Sequence, residues 1–131
     1  MLISLDKHGG IPIYRQVMDQ LKEQIMTGRL AEGTQLESVA VLSARLKVNP
    51  MTVSKAYASM VQDGLLERRN GVGVFVNRIK NDTRNREKNA MLADAVGWVV
   101  SLAQQMEMSE QEVAKLLTEH YKKAARRQKD E

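Results

Sequence analysis

Apolar positions recur with a helical period from the eleventh residue onward. Ile13, Val17, Leu21 and Ile25 stand four residues apart and so share one face of a helix, and Pro12 suits its first turn, where no amide hydrogen is needed. Gly28 ends that pattern. Leu30 to Leu36 brackets the Glu32-Gly33 turn with short apolar residues and predicts a brief strand or extended corner. Ser38 is an N-cap for a short helix carrying Val39, Leu42 and Leu46. Lys47-Val48 leaves only a tight junction before Asn49, a second N-cap, and Pro50 at a first helical position, so a third helix follows at once. Val53, Ala56, Tyr57, Met60 and Val61 form its inward stripe, while Met51, Thr52, Ser54 and Lys55 occupy the opposite face. Gly64 closes it at a position that accepts a left-handed backbone.

Two strand-like runs come next, Leu65 to Arg69 and Val72 to Val76, flanking Asn70-Gly71, the dipeptide that most favours a tight hairpin turn. Helix, helix and hairpin in direct order is the layout of a winged helix-turn-helix. Asn70, Gly71 and Gly73 leave the backbone of the hairpin tip open to close approach by a phosphate or a minor groove. Residues 81 to 89 are polar throughout and mark a junction, helical over its later half. Beyond it the pattern is entirely helical. Leu92, Val96, Val99, Ala103 and Met106 share a face that Trp98 and Leu102 widen, so this helix must bury against something. Ser109-Glu110-Gln111-Glu112 is a capping box that starts another helix, on which Val113, Leu116, Leu117, His120, Tyr121 and Ala124 align. The chain thus reads as mostly α with a small β-hairpin wing: a winged helix-turn-helix over residues 1–78 and a two-helix module over 79–131.

Composition narrows the function. The chain has 131 residues, 43% of them hydrophobic and 27% charged, a balance that supports one small core. It has no cysteine, which removes disulfides, thiolate metal sites and cysteine nucleophiles and suits a reducing cytoplasm. No apolar run reaches the roughly 20 residues of a membrane span, and Met1 to Lys7 lacks the order of a signal peptide, so a cytoplasmic protein without membrane contact is expected. The net charge is +4, with the basic excess mainly in residues 1–78, which suits a polyanionic partner bound by that part. Ser38, Arg45, Asn49, Met51, Thr52, Ser54, Lys55 and Arg69, with the hairpin tip, are the candidate DNA contacts: hydroxyls and the helix N-terminus can donate to phosphates or base edges, and the cations add charge.

The runs Ile11-Pro12-Ile13-Tyr14-Arg15-Gln16, Gly28-Arg29-Leu30, Gly33-Thr34-Gln35-Leu36, Val48 to Tyr57 and Gly64 to Val76 together closely resemble the GntR family of bacterial regulators. The Asn-Pro-x-Thr-Val-Ser-Lys-Ala-Tyr run and the short two-helix tail resemble its YtrA subfamily. The resemblance covers residues 11–76 in order and spacing. It implies that the helix from Asn49 lies in the major groove, that Asn70 and Gly71 touch the adjacent minor groove, and that two chains read a pseudo-palindromic operator as a repressor. The chain departs from the pattern at Glu37, where many members carry Pro, and at Ala40, Pro50 and Ser54, where many carry Arg. Arginine contacts to guanine are therefore not carried over: either Asn49, Ser54 and Lys55 read the bases in a different code, the reading favoured here, or specificity leans more on DNA shape and on the wing.

The two-helix tail implies dimerisation, which the physics supports separately: 53 residues so apolar on one face cannot stand alone, and burial across a two-fold axis satisfies them, the alternative being that they fold back on their own winged domain. Leu92, Val96, Trp98, Val99, Leu102, Val113, Leu117 and Tyr121 are the expected interface, with Trp98 at its centre. A small-molecule effector, whose identity the sequence does not name, would have only a crevice at that interface to occupy. No cofactor or metal is expected. Only two histidines exist, His8 in a Gly-flanked lead-in and His120 on the last helix, and the serines have no base partner, so the chain is not read as an enzyme. A winged helix that binds protein instead of DNA is the rival reading. The run from Glu37 to Asp63, free of acids between its ends, favours DNA.

Overall fold

The computed structural model describes residues 1–130 and divides the chain into two compact units, Met1–Arg86 and a second from Glu87 onward. The first unit holds α1 (Ile13–Met26), α2 (Val39–Leu46), α3 (Pro50–Gln62) and the antiparallel strands β1 (Leu66–Arg69) and β2 (Gly73–Val76). Pro12 stands one residue ahead of α1, as its N-cap, and its carbonyl accepts from the amides of Arg15 and Gln16. Ser38 caps α2 by accepting from the Val41 amide at 3.1 Å, and Asn49 caps α3 by accepting from the Met51 amide at 2.9 Å. Between the two helices Lys47 takes a left-handed conformation, φ 57°, which turns the chain sharply.

Val17, Leu21, Leu42, Val53, Ala56, Tyr57, Met60 and Leu65 are fully buried and make one core under α1, α2, α3 and the hairpin. Each such large aliphatic side chain contributes about 1.5–3 kcal/mol on transfer from water. The Tyr57 hydroxyl, inside this core, donates to the Glu37 carbonyl at 2.7 Å and ties α3 to the lead-in of α2. The extended corner predicted near Leu36 lies along β2: Gln35 bridges Phe75, the Leu36 amide donates to Val74, and the Gly33 amide donates to Val76.

One element was not anticipated. Residues 1–6 run as an extended strap whose apolar residues Met1, Ile3 and Leu5 pack on the core. Three glutamines of α1 hold its other edge. Gln24 donates to the Leu2 carbonyl at 2.6 Å, Gln20 both accepts from the Ser4 amide and donates to its carbonyl, and Gln16 does the same for Asp6. The match is metrical: two residues of extended chain span about 6.7 Å and four residues of helix about 6 Å, so every second strap residue meets every fourth helix residue.

In the second unit α5 (Glu110–Lys129) starts at the predicted capping box, in which Ser109 and Glu112 satisfy each other's amides. The helix that leads to it, α4 (Asn81–Gln105), begins earlier than the polar junction suggested. Its first turn carries Asp82, favourable at a helix N-terminus, and the long polar side chains that follow have good helix propensity. Glu107, φ 57°, turns the chain between the helices. Among the described residues, no helix is long and apolar enough to cross a membrane.

Candidate nucleic-acid interface

α3 separates its residues cleanly. Val53, Ala56, Tyr57 and Met60 face the core, while Met51, Ser54 and Lys55 are exposed and Thr52 is half-exposed on the opposite side. No acidic side chain lies on this helix, so the positive end of its dipole and Lys55 lie on a face with no acid of its own, although Pro50 has no amide hydrogen and the Met51 and Thr52 amides are taken by Asn49. Asn49 uses its side-chain oxygen as the cap, which leaves its amide nitrogen as the group free to donate outward. Tyr14, from the first turn of α1, lies beside this face, and the Lys55 ammonium sits 3.9 Å above its ring centroid. Tyr14, Ile13, Met51, Thr52, Ser54 and Lys55 share one shallow surface groove.

The hairpin tip is a three-residue connection, Asn70 to Val72, closed by the Val72 amide donating to the Arg69 carbonyl at 3.0 Å. Of the Asn70-Gly71 pair only Gly71 takes a positive φ, 74°, so this differs from the two-residue turn in which both central residues do. Gly73, φ 149°, leaves room for Gln35 to reach across the tip: the Gln35 side chain donates to the Val72 carbonyl at 3.1 Å, and a Cβ at Gly73 would meet the same amide group at 2.6 Å. Gln35 is thus a supporting residue that the sequence reading did not single out. Arg69 stacks its guanidinium 4.1 Å from the Phe75 ring centroid and lies 3.7 Å from Glu67, while Arg68 is exposed.

Like Asn49 and Arg69, two more of the candidate contacts have local duties. Ser38 accepts from Val41 as the α2 cap, which leaves its hydroxyl hydrogen to donate. Arg45 donates through Nε to Glu37 at 3.1 Å and through Nη2 to the Met1 carbonyl at 3.0 Å, so it anchors the strap and keeps only part of its fork for an outside anion. The Glu37 carboxylate thereby orients Arg45.

On the second unit, Leu92, Val96, Trp98, Val99, Leu102, Leu117 and Tyr121 are exposed, and Val113 is partly so. Trp98 is 68% exposed. Between α4 and α5 runs an apolar groove lined by Val99, Ala103, Met106, Val113, Leu116 and His120, among others. The His120 ring nitrogen Nδ1 is 2.9 Å from the Leu116 carbonyl within its own helix.

Residues 13–76 match the family model described as bacterial regulatory proteins, gntR family. The chain is 32% identical over 93 residues to the HTH-type transcriptional repressor YtrA of Bacillus subtilis, covering 71% of this chain and 72% of that one. It superposes on a GntR family transcriptional regulator from Listeria monocytogenes with a TM-score of 0.74 at 22% identity, over 88% of this chain and 98% of that one. It also superposes on YtrA from Sulfolobus acidocaldarius, a GntR-family transcription factor, with a TM-score of 0.56 at 25% identity, over 92% and 97% of the two chains. On the family match and the shared length and identity with YtrA, the chain belongs to the gntR family of bacterial regulatory proteins, as a YtrA-type transcription regulator whose DNA-binding part is the winged helix-turn-helix.

Proposed function

We propose that this regulator is a cytoplasmic repressor that binds a pseudo-palindromic operator as a homodimer and performs no catalysis. The observation that carries the reading is the acid-free exposed face of α3, where Met51, Thr52, Ser54 and Lys55 surround a helix N-terminus. In this reading α3 enters the major groove, with Asn49, Ser54 and Lys55 at base edges and Thr52 at a phosphate. Asn70, Gly71 and Gly73 follow the neighbouring minor groove, and Ser38, Arg45 and Arg69 approach the backbone. The exposed apolar residues of the second unit, centred on Trp98, meet those of a second copy, which sets two half-sites about one helical turn apart.

The test is selection of duplexes from a random library by the full-length protein, followed by anisotropy titrations at several salt concentrations. Enrichment of a two-fold symmetric sequence, bound with steep salt dependence, is expected. Lys55→Ala should weaken binding and reduce the salt slope by up to about 1.8, one counterion fewer in each half-site of the dimer. Enrichment of no sequence would refute operator binding and favour the protein-binding alternative, to which the exposed apolar tips Met51 and Val72 would then belong.

A further inference from the structure

Lys55 is the one basic side chain of α3, and a lysine at the surface ordinarily samples many rotamers that DNA binding must freeze. Here a different element restrains it. Tyr14 projects from the first turn of α1, and its ring face lies 3.9 Å from the Lys55 ammonium. A cation is drawn to the electron-rich face of an aromatic ring, and the contact leaves the remaining ammonium hydrogens directed outward. Core packing does not account for the ring: Tyr14 lies outside the buried cluster and is half-exposed, on the same groove as Thr52 and Ser54. The wing repeats the device, with Arg69 stacked 4.1 Å from Phe75. In a chain with only five aromatic residues, two serve as platforms for cations of the candidate DNA-binding surface.

We propose that Tyr14 is a positioning residue for DNA recognition: its ring holds the Lys55 ammonium over the groove, pre-ordered for the duplex. The inference rests on the operator reading above. It predicts that the contribution of Tyr14 to affinity passes through Lys55 and needs the ring but not the hydroxyl.

The experiment is a double-mutant cycle on a duplex selected by the full-length protein. Tyr14→Ala should weaken binding of the dimer about tenfold or more, the cost of freezing one lysine side chain in each of the two half-sites. The same change in a Lys55→Ala background should have no further effect, and Tyr14→Phe should bind as the parent does. In the free protein, the Lys55 ε-methylene protons should be shifted upfield by the ring, and Tyr14→Ala should abolish that shift while leaving the amide spectrum of the core intact. Equal losses from Tyr14→Ala in both backgrounds, or Lys55 protons at their ordinary positions, would overturn the proposal while the operator reading stood. A parent protein that selects no duplex would overturn both.

Discussion

Tyr57 offers a prediction with a sign as well as a size. Its side chain is fully buried and its hydroxyl donates to the Glu37 carbonyl at 2.7 Å. Tyr57→Phe keeps the ring in the core and removes the donor, so the carbonyl loses its partner in a partly buried place; the expected cost at neutral pH is about 1–2 kcal/mol. Burial pushes the phenol well above its ordinary range, the nearby Glu37 carboxylate adds to the rise, and Arg45 opposes it. A folded-state pKa above the unfolded value near 10 means that the native protein holds its proton while the unfolded chain releases it. The stabilisation is therefore complete below pH 10 and is lost above it, by about 1.4 kcal/mol at pH 11. The phenylalanine variant has no such loss at this position. Urea unfolding of both proteins from pH 7 to 11, followed by methyl NMR signals of Leu42 and Val53 in the same core, should show a deficit for Tyr57→Phe that shrinks above pH 10 and nearly closes at pH 11. A deficit that stays constant across this range would refute the argument, because it would mean that the hydroxyl can ionise in the folded state as easily as in the unfolded one.

Two further outcomes follow from the strap and from the second unit. Gln20→Ala removes both hydrogen bonds to Ser4; amide exchange at Ser4 and Asp6 should accelerate about tenfold while that at Val53 stays unchanged, and equal protection at Ser4 would show that the glutamines do not hold the strap. Trp98→Ala should raise the dimer dissociation constant about thirtyfold or more, as loss of a central interface aromatic does, and light scattering across a dilution series reads it directly. A variant as dimeric as its parent would move the interface away from Trp98.

The elements whose rules are local were legible in the sequence. The caps Ser38, Asn49 and Ser109, Pro50 at the start of α3, the stripe of Val53, Ala56, Tyr57 and Met60, and the hairpin after Gly64 depend on residues within a few positions of one another, where propensity and periodicity act. What the tertiary structure decided depends on meetings between distant segments. The strap was written in its alternation of Met1, Ile3 and Leu5 with Ser4 and Asp6, yet only packing against α1 brings Gln16, Gln20 and Gln24 into step with it. The wing tip is closed locally by Gly71 and the Val72 amide, and only the fold brings Gln35, far away in sequence, over Gly73 to brace it at Val72. Arg45 reads in sequence as a free cation, but in the fold Glu37 and the Met1 carbonyl claim it. Lys55 was legible as charge, while its restraint by Tyr14 arises only where α1 and α3 cross. Hydrogen bonds and cation–ring contacts are short-ranged and directional, so periodicity can assign a residue to a face but the packed chain alone decides what that residue meets there.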